Sequence, residues 1–161
     1  MKKKLFITLG IFIIVMLTSA VTYAVATGVF KPKYNKPSDY KVGIKYEEAL
    51  KGDKPILALF YVDWCGYCMR FMPSYKTIEP KVKENFNVVM INAEDPAMQD
   101  LVKEVRLTGY PTLYILDPKY NNRVFINQAF YGDIKTLKGE LDMYANIRKL
   151  LDAGEKCAAG K

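Results

Sequence analysis

The amino-acid sequence predicts an α/β fold, in which short buried strands alternate with helices. Two observations indicate this. Apolar runs of strand length alternate with segments of helical periodicity in the order β-α-β-α-β-β-α, after a short leading helix. The chain has 161 residues, and its 50% of hydrophobic residues are sufficient for one compact domain with appendages.

The first half of this domain is expected to contain two strands and the helix that joins them. Residues 44–51 have the pattern of a short helix, which a glycine and a proline end. Residues 56–62 form a continuous apolar run, which is typical of a fully buried strand. A helix over about 65–85 and a second buried strand over 88–92 complete this half.

The second half is expected to add a helix, a hairpin and a terminal helix. Residues 96–105 follow Asp95, whose carboxylate is suited to capping a helix. Strands over 112–116 and 123–130 flank a cluster of turn-forming residues and make a hairpin. Residues 134–151 are amphipathic. The side chains assigned to the apolar face of this last helix are Leu137, Leu141, Tyr144, Ile147, Leu150 and Leu151.

A pair of cysteines lies at the junction between the first strand and the following helix, in the sequence Trp64-Cys65-Gly66-Tyr67-Cys68. Two cysteines at this spacing either close a small disulfide ring or remain two thiols, and thiol–disulfide exchange depends on that choice. The N-terminus of a helix stabilises a thiolate. We therefore predict that Cys65 is the nucleophile that attacks a substrate disulfide, and that Cys68 attacks the resulting mixed disulfide.

Two other uses of the cysteine pair remain open. One is a purely structural disulfide, although so tight a ring is strained and easily reduced. The other is a metal site, but this requires two more ligands, and the sequence has no histidine and only one further cysteine, Cys157. We expect no metal, and no cofactor other than the redox-active Cys65–Cys68 disulfide. Cys157 itself either pairs between molecules or is incidental.

The surroundings of the cysteine pair resemble the thioredoxin superfamily. Pro73 follows Cys68 by five residues, where thioredoxins carry the proline of the active-site helix. Tyr110-Pro111, which precedes an apolar run, resembles the family's cis-proline loop. The resemblance covers residues 43–151 and implies a thioredoxin fold, with a central mixed β-sheet flanked by helices.

The resemblance also implies a surface that binds substrate. Pro111 in the cis form would present the backbone of Tyr110 beside the disulfide, where a substrate strand could pair with it. Trp64 and Tyr67 are expected to form an aromatic rim that contacts substrate, and the alternative for Trp64 is simple packing against the domain. Together with Gly66, which lies between the cysteines, these are the predicted substrate-binding residues.

Leu59 is a departure from the family pattern. Thioredoxins place a buried aspartate six residues before the first cysteine, where it accepts the proton of the second cysteine, and here that position holds Leu59. The strand over 88–92 has no lysine that could pair with such an aspartate. Cys68 therefore requires another base or water, and Asp63 is a weak candidate because it should lie at the surface.

These residues predict a thiol–disulfide oxidoreductase that reduces protein disulfides. Dithiol oxidation or isomerisation is an alternative, since the same steps run in either direction. Gly66 and Tyr67 bring no cation to the thiolate, which favours an intermediate to reducing potential. A binding module that holds cysteine-containing clients without turnover is a further hypothesis, and Leu59 favours it.

The N-terminal region predicts export from the cytoplasm. Lysines at positions 2–4 precede residues 5–30, which have no charged side chain. Residues 1–30 are therefore interpreted as a signal peptide or a membrane anchor. Either role places the domain in the periplasm or cell envelope, secreted or anchored. A reductase in that location requires an electron donor in the membrane as its partner.

The remaining features of the sequence set the limits of the domain and restrict the classes of partner. Residues 31–42 are expected to form a linker and residues 152–161 a flexible tail, so that the domain itself occupies 43–151. The net charge is +7, but the basic residues are interleaved with acidic ones. This is typical of a solvated surface, and we expect no nucleic acid partner and a monomeric protein.

Overall fold

The structure is a computed structural model that describes residues 2–26 and 34–159. The chain divides into two units, residues 1–34 and 35–161. Helix α1 (Lys2–Ala26) belongs to the first unit. Over the described residues, no helix combines the length and the apolar character needed to cross a membrane. The predicted signal peptide or anchor includes residues outside the described part, and it stays a prediction.

The second unit is built on a four-stranded sheet. Strands β1 (Ile56–Tyr61) and β3 (Thr112–Asp117) are central, and β2 (Asn87–Asn92) and β4 (Asn122–Ile126) form the edges, in the order β2-β1-β3-β4. β1 pairs in parallel with β2 and antiparallel with β3, which pairs antiparallel with β4. The expected mixed sheet is confirmed, and the continuous apolar run of β1 corresponds to a strand that is buried along its whole length.

Helices cover both faces of the sheet. α3 (Gly66–Val82) and α5 (Ile134–Ala159) pack on one face, and α2 (Tyr46–Ala49) and α4 (Gln99–Glu104) pack on the other. Successive side chains of a strand point to opposite faces, so β1 contributes to both cores. Its carboxyl end then leads directly into the N-terminus of α3, which is where the cysteine pair lies.

Alternate residues of β1 illustrate this division of the core. Leu57 and Leu59 lie in the cluster with α3 and α5, whereas Ala58 and Phe60 lie in the cluster with α2 and α4. The buried hydroxyl of Tyr75 in α3 donates a hydrogen bond to the carbonyl oxygens of both β1 and β2, at 3.0 Å in each case. This contact attaches the active-site helix to the two parallel strands.

The hairpin differs from its prediction at the end of the second strand. β4 ends at Ile126, whereas the pattern carried the strand to residue 130. The side-chain oxygen of Asn127 accepts a hydrogen bond from the backbone N–H of Ala129 at 2.9 Å. This local bond favours a 3₁₀ turn over Gln128–Phe130 in place of strand pairing.

Helix α5 is longer than predicted, and the predicted apolar face is confirmed for Leu137, Leu141 and Tyr144 but not for the turns that follow. It continues to Ala159, so the first part of the predicted tail is helical. The prediction also places Ile147, Leu150 and Leu151 on the apolar face, but these side chains are 50%, 73% and 47% exposed. Arg148 is buried instead, because its Nε donates to the buried carboxylate of Asp117 at 2.7 Å. An ion pair therefore replaces apolar packing at this level of the helix.

Helix α4 begins later than predicted, although its cap is correct. The Asp95 carboxylate accepts a hydrogen bond from the backbone N–H of Ala97 at 2.9 Å, as expected of an N-cap. The turn that follows, Pro96–Met98, is a 3₁₀ turn, and the α-helix begins at Gln99.

Candidate active site

Cys65 is the N-cap of α3. Its backbone is extended (φ −78°, ψ 107°), and its sulfur accepts a hydrogen bond from the backbone N–H of Cys68 at 3.1 Å. The first N–H groups of a helix have no partner within the helix, so a sulfur at this position satisfies one of them. Both cysteines are free thiols. Cys65 is 7% exposed and Cys68 is 1% exposed, so the first cysteine is nearer to solvent.

Cys68 lies one turn into the helix, in an apolar cluster that includes Tyr61, Val62 and Ala93. Burial raises the pKa of the Cys68 thiol to about 12, and its hydrogen bond with Cys65 adds to this effect. A thiolate in this position would lose solvation without gaining a cation in return. Cys68 is therefore protonated at neutral pH.

The loop before β3 lies against the first cysteine. The Tyr110–Pro111 peptide bond is cis, which confirms the prediction for Pro111. The Cys65 thiol is 3.5 Å from the carbonyl oxygen of Tyr110, to which it donates a hydrogen bond. The hydroxyl of Thr112 donates to the Gly109 carbonyl at 2.8 Å and closes the loop. The fold thus brings together two segments that lie about 45 residues apart in the sequence.

Two aromatic side chains are exposed beside the cysteines, as the sequence predicts. Trp64 is 69% exposed and Tyr67 is 71% exposed. The indole N–H of Trp64 donates to Glu94 at 2.9 Å, and its ring meets Tyr110 edge-on at 6.4 Å between centroids. Gly66, at the start of α3, has open space where a side chain would be. Both side chains are therefore largely open to solvent, and their contact with substrate stays a prediction.

A groove of about 650 Å³ opens beside the cysteine pair. α3 contributes Tyr67, Arg70 and Phe71 to its lining, and the cis-proline loop contributes Tyr110 and Pro111. Its far wall comes from the segment after β4, in the form of Gln128, Tyr131 and Gly132. Sequence reasoning did not find Arg70 or this far wall, because no local motif marks residues that reach the site through the fold.

The far wall holds the groove in shape. Gln128 donates from its amide to the carbonyl oxygen of Pro111 at 3.2 Å. The hydroxyl of Tyr131 accepts from the backbone N–H of Leu113 at 2.6 Å and donates to the carbonyl of Ile126 at 3.1 Å. The ring of Tyr131 stacks on Phe71 of α3, with 4.9 Å between centroids. One loop therefore connects the active-site helix, the cis-proline loop and the edge strand.

Position 59, where thioredoxins carry the buried aspartate that accepts the proton of the second cysteine, holds a leucine in this site. Leu59 is fully buried and pairs with Met90 and Leu113 across the sheet. The carboxylate of Asp63 accepts from both the backbone N–H and the hydroxyl of Ser38, at 3.0 and 2.6 Å. Among the residues that the structure describes, no carboxylate is hydrogen-bonded to either cysteine of the pair.

Comparison with known proteins gives the following similarities. The family model described as Thioredoxin matches residues 40–136. The chain is 35% identical over 78 residues to "Thioredoxin-like protein HCF164, chloroplastic" of Arabidopsis thaliana, covering 48% of this chain and 30% of that protein. It is 31% identical over 120 residues to "Probable protein disulfide-isomerase A6" of Medicago sativa, covering 66% and 32%.

A solved structure is similar in fold. The first thioredoxin domain of mouse protein disulfide-isomerase A4 superposes with a TM-score of 0.52 at 24% identity, covering 62% of this chain and 69% of that one. The chain spans about a third of the length of the two curated relatives named above. The similarity therefore concerns the domain that contains the cysteine pair, and not the relatives as whole proteins.

Proposed function

We propose, since this chain belongs to the thioredoxin family, that it is a thiol–disulfide oxidoreductase that reduces protein disulfides outside the cytoplasm. The observation that carries the proposal is the position of Cys65. Its sulfur lies at the N-terminus of α3, accepts the backbone N–H of Cys68, and lies next to the cis-proline loop. Relatives named protein disulfide-isomerase and thioredoxin support this chemistry.

The reduction proceeds in two exchanges. The Cys65 thiol loses its proton to solvent, and the thiolate attacks one sulfur of the substrate disulfide. The substrate S–S bond breaks, an Sγ–S bond to Cys65 forms, and the other substrate sulfur leaves with the electron pair. Cys68 then loses its proton to water and attacks the Cys65 sulfur, so that the bond between Cys65 and the substrate breaks, the Cys65–Cys68 disulfide forms and the second substrate sulfur leaves as a thiolate.

The cis-proline loop has a part in the first exchange. In the free protein the Tyr110 carbonyl accepts the Cys65 thiol proton. Once Cys65 is bonded to a substrate sulfur, it has no proton to donate, and this carbonyl is free to accept a backbone N–H of the substrate. A substrate strand beside Pro111 would thus replace the hydrogen bond that the reaction removes.

The location outside the cytoplasm rests on the sequence. Three lysines precede an uncharged stretch over residues 5–30, which is the pattern of a signal peptide or an anchor. The name "chloroplastic" of one relative agrees with a compartment other than the cytosol. A reductase in an oxidising compartment is itself oxidised in each cycle, so it requires an electron donor in the membrane that returns two electrons to the Cys65–Cys68 disulfide.

Thiol trapping in intact cells tests this proposal. Cells that express a Cys157→Ser variant are quenched with acid and alkylated, and the redox state of Cys65 and Cys68 is then measured. A largely reduced pair in an oxidising compartment is the expected result, because it requires an electron supply. A largely oxidised pair would contradict the reductase role and would favour an oxidase or an inert disulfide.

A client-holding module is the second candidate function, and one feature of the site favours it. The pKa of Cys68 is raised to about 12 by burial, and Leu59 occupies the position of the family's base, so the described residues offer no hydrogen-bonded proton acceptor for the second exchange. Replacing Cys68 by Ser separates the two functions. An exchange enzyme would accumulate mixed disulfides with its clients and lose function in cells, whereas a holding module would keep its function.

A further inference from the structure

The groove between α3 and the cis-proline loop has one charged side chain in its described lining. Of the described residues that line it, only Arg70 carries a charge. Glu94, the acidic residue that bonds to Trp64, does not line the groove. A ligand that lies in the groove therefore meets a cation and no anion.

Among the described residues, the guanidinium of Arg70 has an aromatic neighbour but no anionic partner. It lies over the ring of Tyr67, at 4.5 Å from the centroid, and the side chain is exposed. Within the described part of the chain, it takes part in no hydrogen bond or ion pair with protein atoms. A cation–π contact of this kind restricts the side chain, and N–H groups that bond to no protein atom stay available to a ligand.

The chemistry that such a group recognises is a carboxylate. The planar fork of an arginine matches the two oxygens of a carboxylate, and a fixed fork loses less side-chain entropy on binding than a free one. The rest of the groove is aromatic and polar but uncharged, with Phe71 and Tyr131 stacked in its lining. A volume of about 650 Å³ accommodates several residues of an extended polypeptide.

We propose that Arg70 and Tyr67 form a carboxylate subsite, which selects polypeptide substrates with an aspartate or glutamate near the reactive cysteine. This rests on the proposed exchange at Cys65, because Tyr110 both lines the groove and accepts the Cys65 thiol proton, so the subsite would act on the same substrate. Arg70 is a specificity-determining residue in this arrangement. It takes no part in the transfer of electrons.

Matched peptides test the subsite. Each peptide carries one cysteine as a mixed disulfide with 2-thiopyridine, a neutral leaving group, and a glutamate, glutamine or lysine at one position on either side of the cysteine. Attack by Cys65 breaks the probe's S–S bond, forms a bond to the peptide sulfur and releases thiopyridone, which absorbs light. The protein is the full chain with Cys68→Ser and Cys157→Ser, so that the reaction stops after one exchange.

We expect the glutamate peptide to react about fivefold faster than the glutamine peptide at low ionic strength, from one side of the cysteine only, with the lysine peptide slowest. Arg70→Gln should abolish the difference, Arg70→Glu should reverse it, and Arg70→Lys should keep only part of it. Lys76→Gln, an exposed change on the same helix outside the groove, is the matched control and should preserve the full difference.

The possible failures are distinguishable. If no peptide releases thiopyridone, Cys65 does not exchange, and the proposed function itself is overturned. If all peptides react equally fast, or if the preference for glutamate survives Arg70→Gln, exchange occurs without this subsite, and only the carboxylate proposal is overturned. If Lys76→Gln reduces the preference as much as Arg70→Gln, the effect comes from net charge, and the subsite is again overturned.

Discussion

Replacing Leu59 by Asp is expected to lower the stability of the fold and to accelerate the attack of Cys68 on the mixed disulfide. Leu59 is fully buried in the cluster that β1 shares with α3. Loss of the leucine side chain from the core costs about 2–3 kcal/mol, and burial of a carboxyl group without a partner costs a further ~1–3 kcal/mol. The free energy of unfolding should therefore fall by about 4 kcal/mol. Because the free energy of unfolding of small domains is about 5–15 kcal/mol in total, the variant should remain folded at low temperature.

The expected gain in rate comes from faster removal of the Cys68 proton. With a pKa of about 12, only about one Cys68 in 10⁵ is a thiolate at pH 7. A carboxylate at residue 59 would project from β1 towards the active-site helix and could accept this proton, and general bases typically accelerate such steps by about 10²-fold or more. The assay mixes the protein with a peptide disulfide, quenches with acid at intervals, and measures the mixed disulfide by mass spectrometry. The mixed disulfide should accumulate in the wild-type protein and decay much faster in Leu59→Asp.

Leu59→Asn is the matched control for this experiment. Asparagine has the shape of aspartate and the same loss of apolar burial, but it cannot accept a proton, so it should lower stability by a similar amount without accelerating the decay. Equal decay rates in the two variants would refute the base argument. Rapid decay in the wild-type protein at pH 7 would refute the premise that proton removal from Cys68 limits the cycle.

Three further predictions concern stability and pH. Gly43→Ala should lower the free energy of unfolding by more than about 2 kcal/mol, because φ at Gly43 is +75° and a Cβ would lie 2.0 Å from a carbonyl oxygen of β2. Gly139→Ala, in open space on α5, should raise the free energy of unfolding slightly in the same denaturant titration. Tyr75→Phe should lower it by about 1–2 kcal/mol, because two buried carbonyl groups lose their shared donor. Alkylation of Cys68 in a Cys65→Ser variant should accelerate about tenfold per pH unit from pH 7 to 10, because only the thiolate reacts and the pKa of Cys68 lies above this range. A plateau of the alkylation rate below pH 9 would contradict the conclusion that burial raises this pKa.

The fold could be predicted where the sequence pattern reflects burial. β1 is central, and its unbroken apolar run follows from helices that cover both of its faces. The prediction was wrong where local polar contacts compete with periodicity. The Asn127 side chain ends β4 early by accepting the backbone N–H of Ala129, and Arg148 of α5 is buried because it pairs with Asp117 of β3. Neither contact leaves a mark in the hydrophobic pattern.

The cysteine pair and its position at the start of a helix are determined by the sequence alone. The spacing of Cys65 and Cys68 places them one turn apart, and the apolar run before them requires a strand that ends at the helix, so the chemistry can be inferred from local residues. Leu59 likewise shows from its position alone that the usual acid is absent.

The tertiary structure decides the pKa of Cys68, the hydrogen bond of Cys65 and the shape of the groove that a substrate can enter. The pKa of Cys68 depends on apolar groups from β1 and from the residues after β2, and the hydrogen bond of Cys65 depends on the Tyr110 carbonyl. The groove exists only because α3, the cis-proline loop and the segment after β4 converge. These contacts join residues that are far apart in the chain, and burial and proximity of that kind arise only when the sheet has formed.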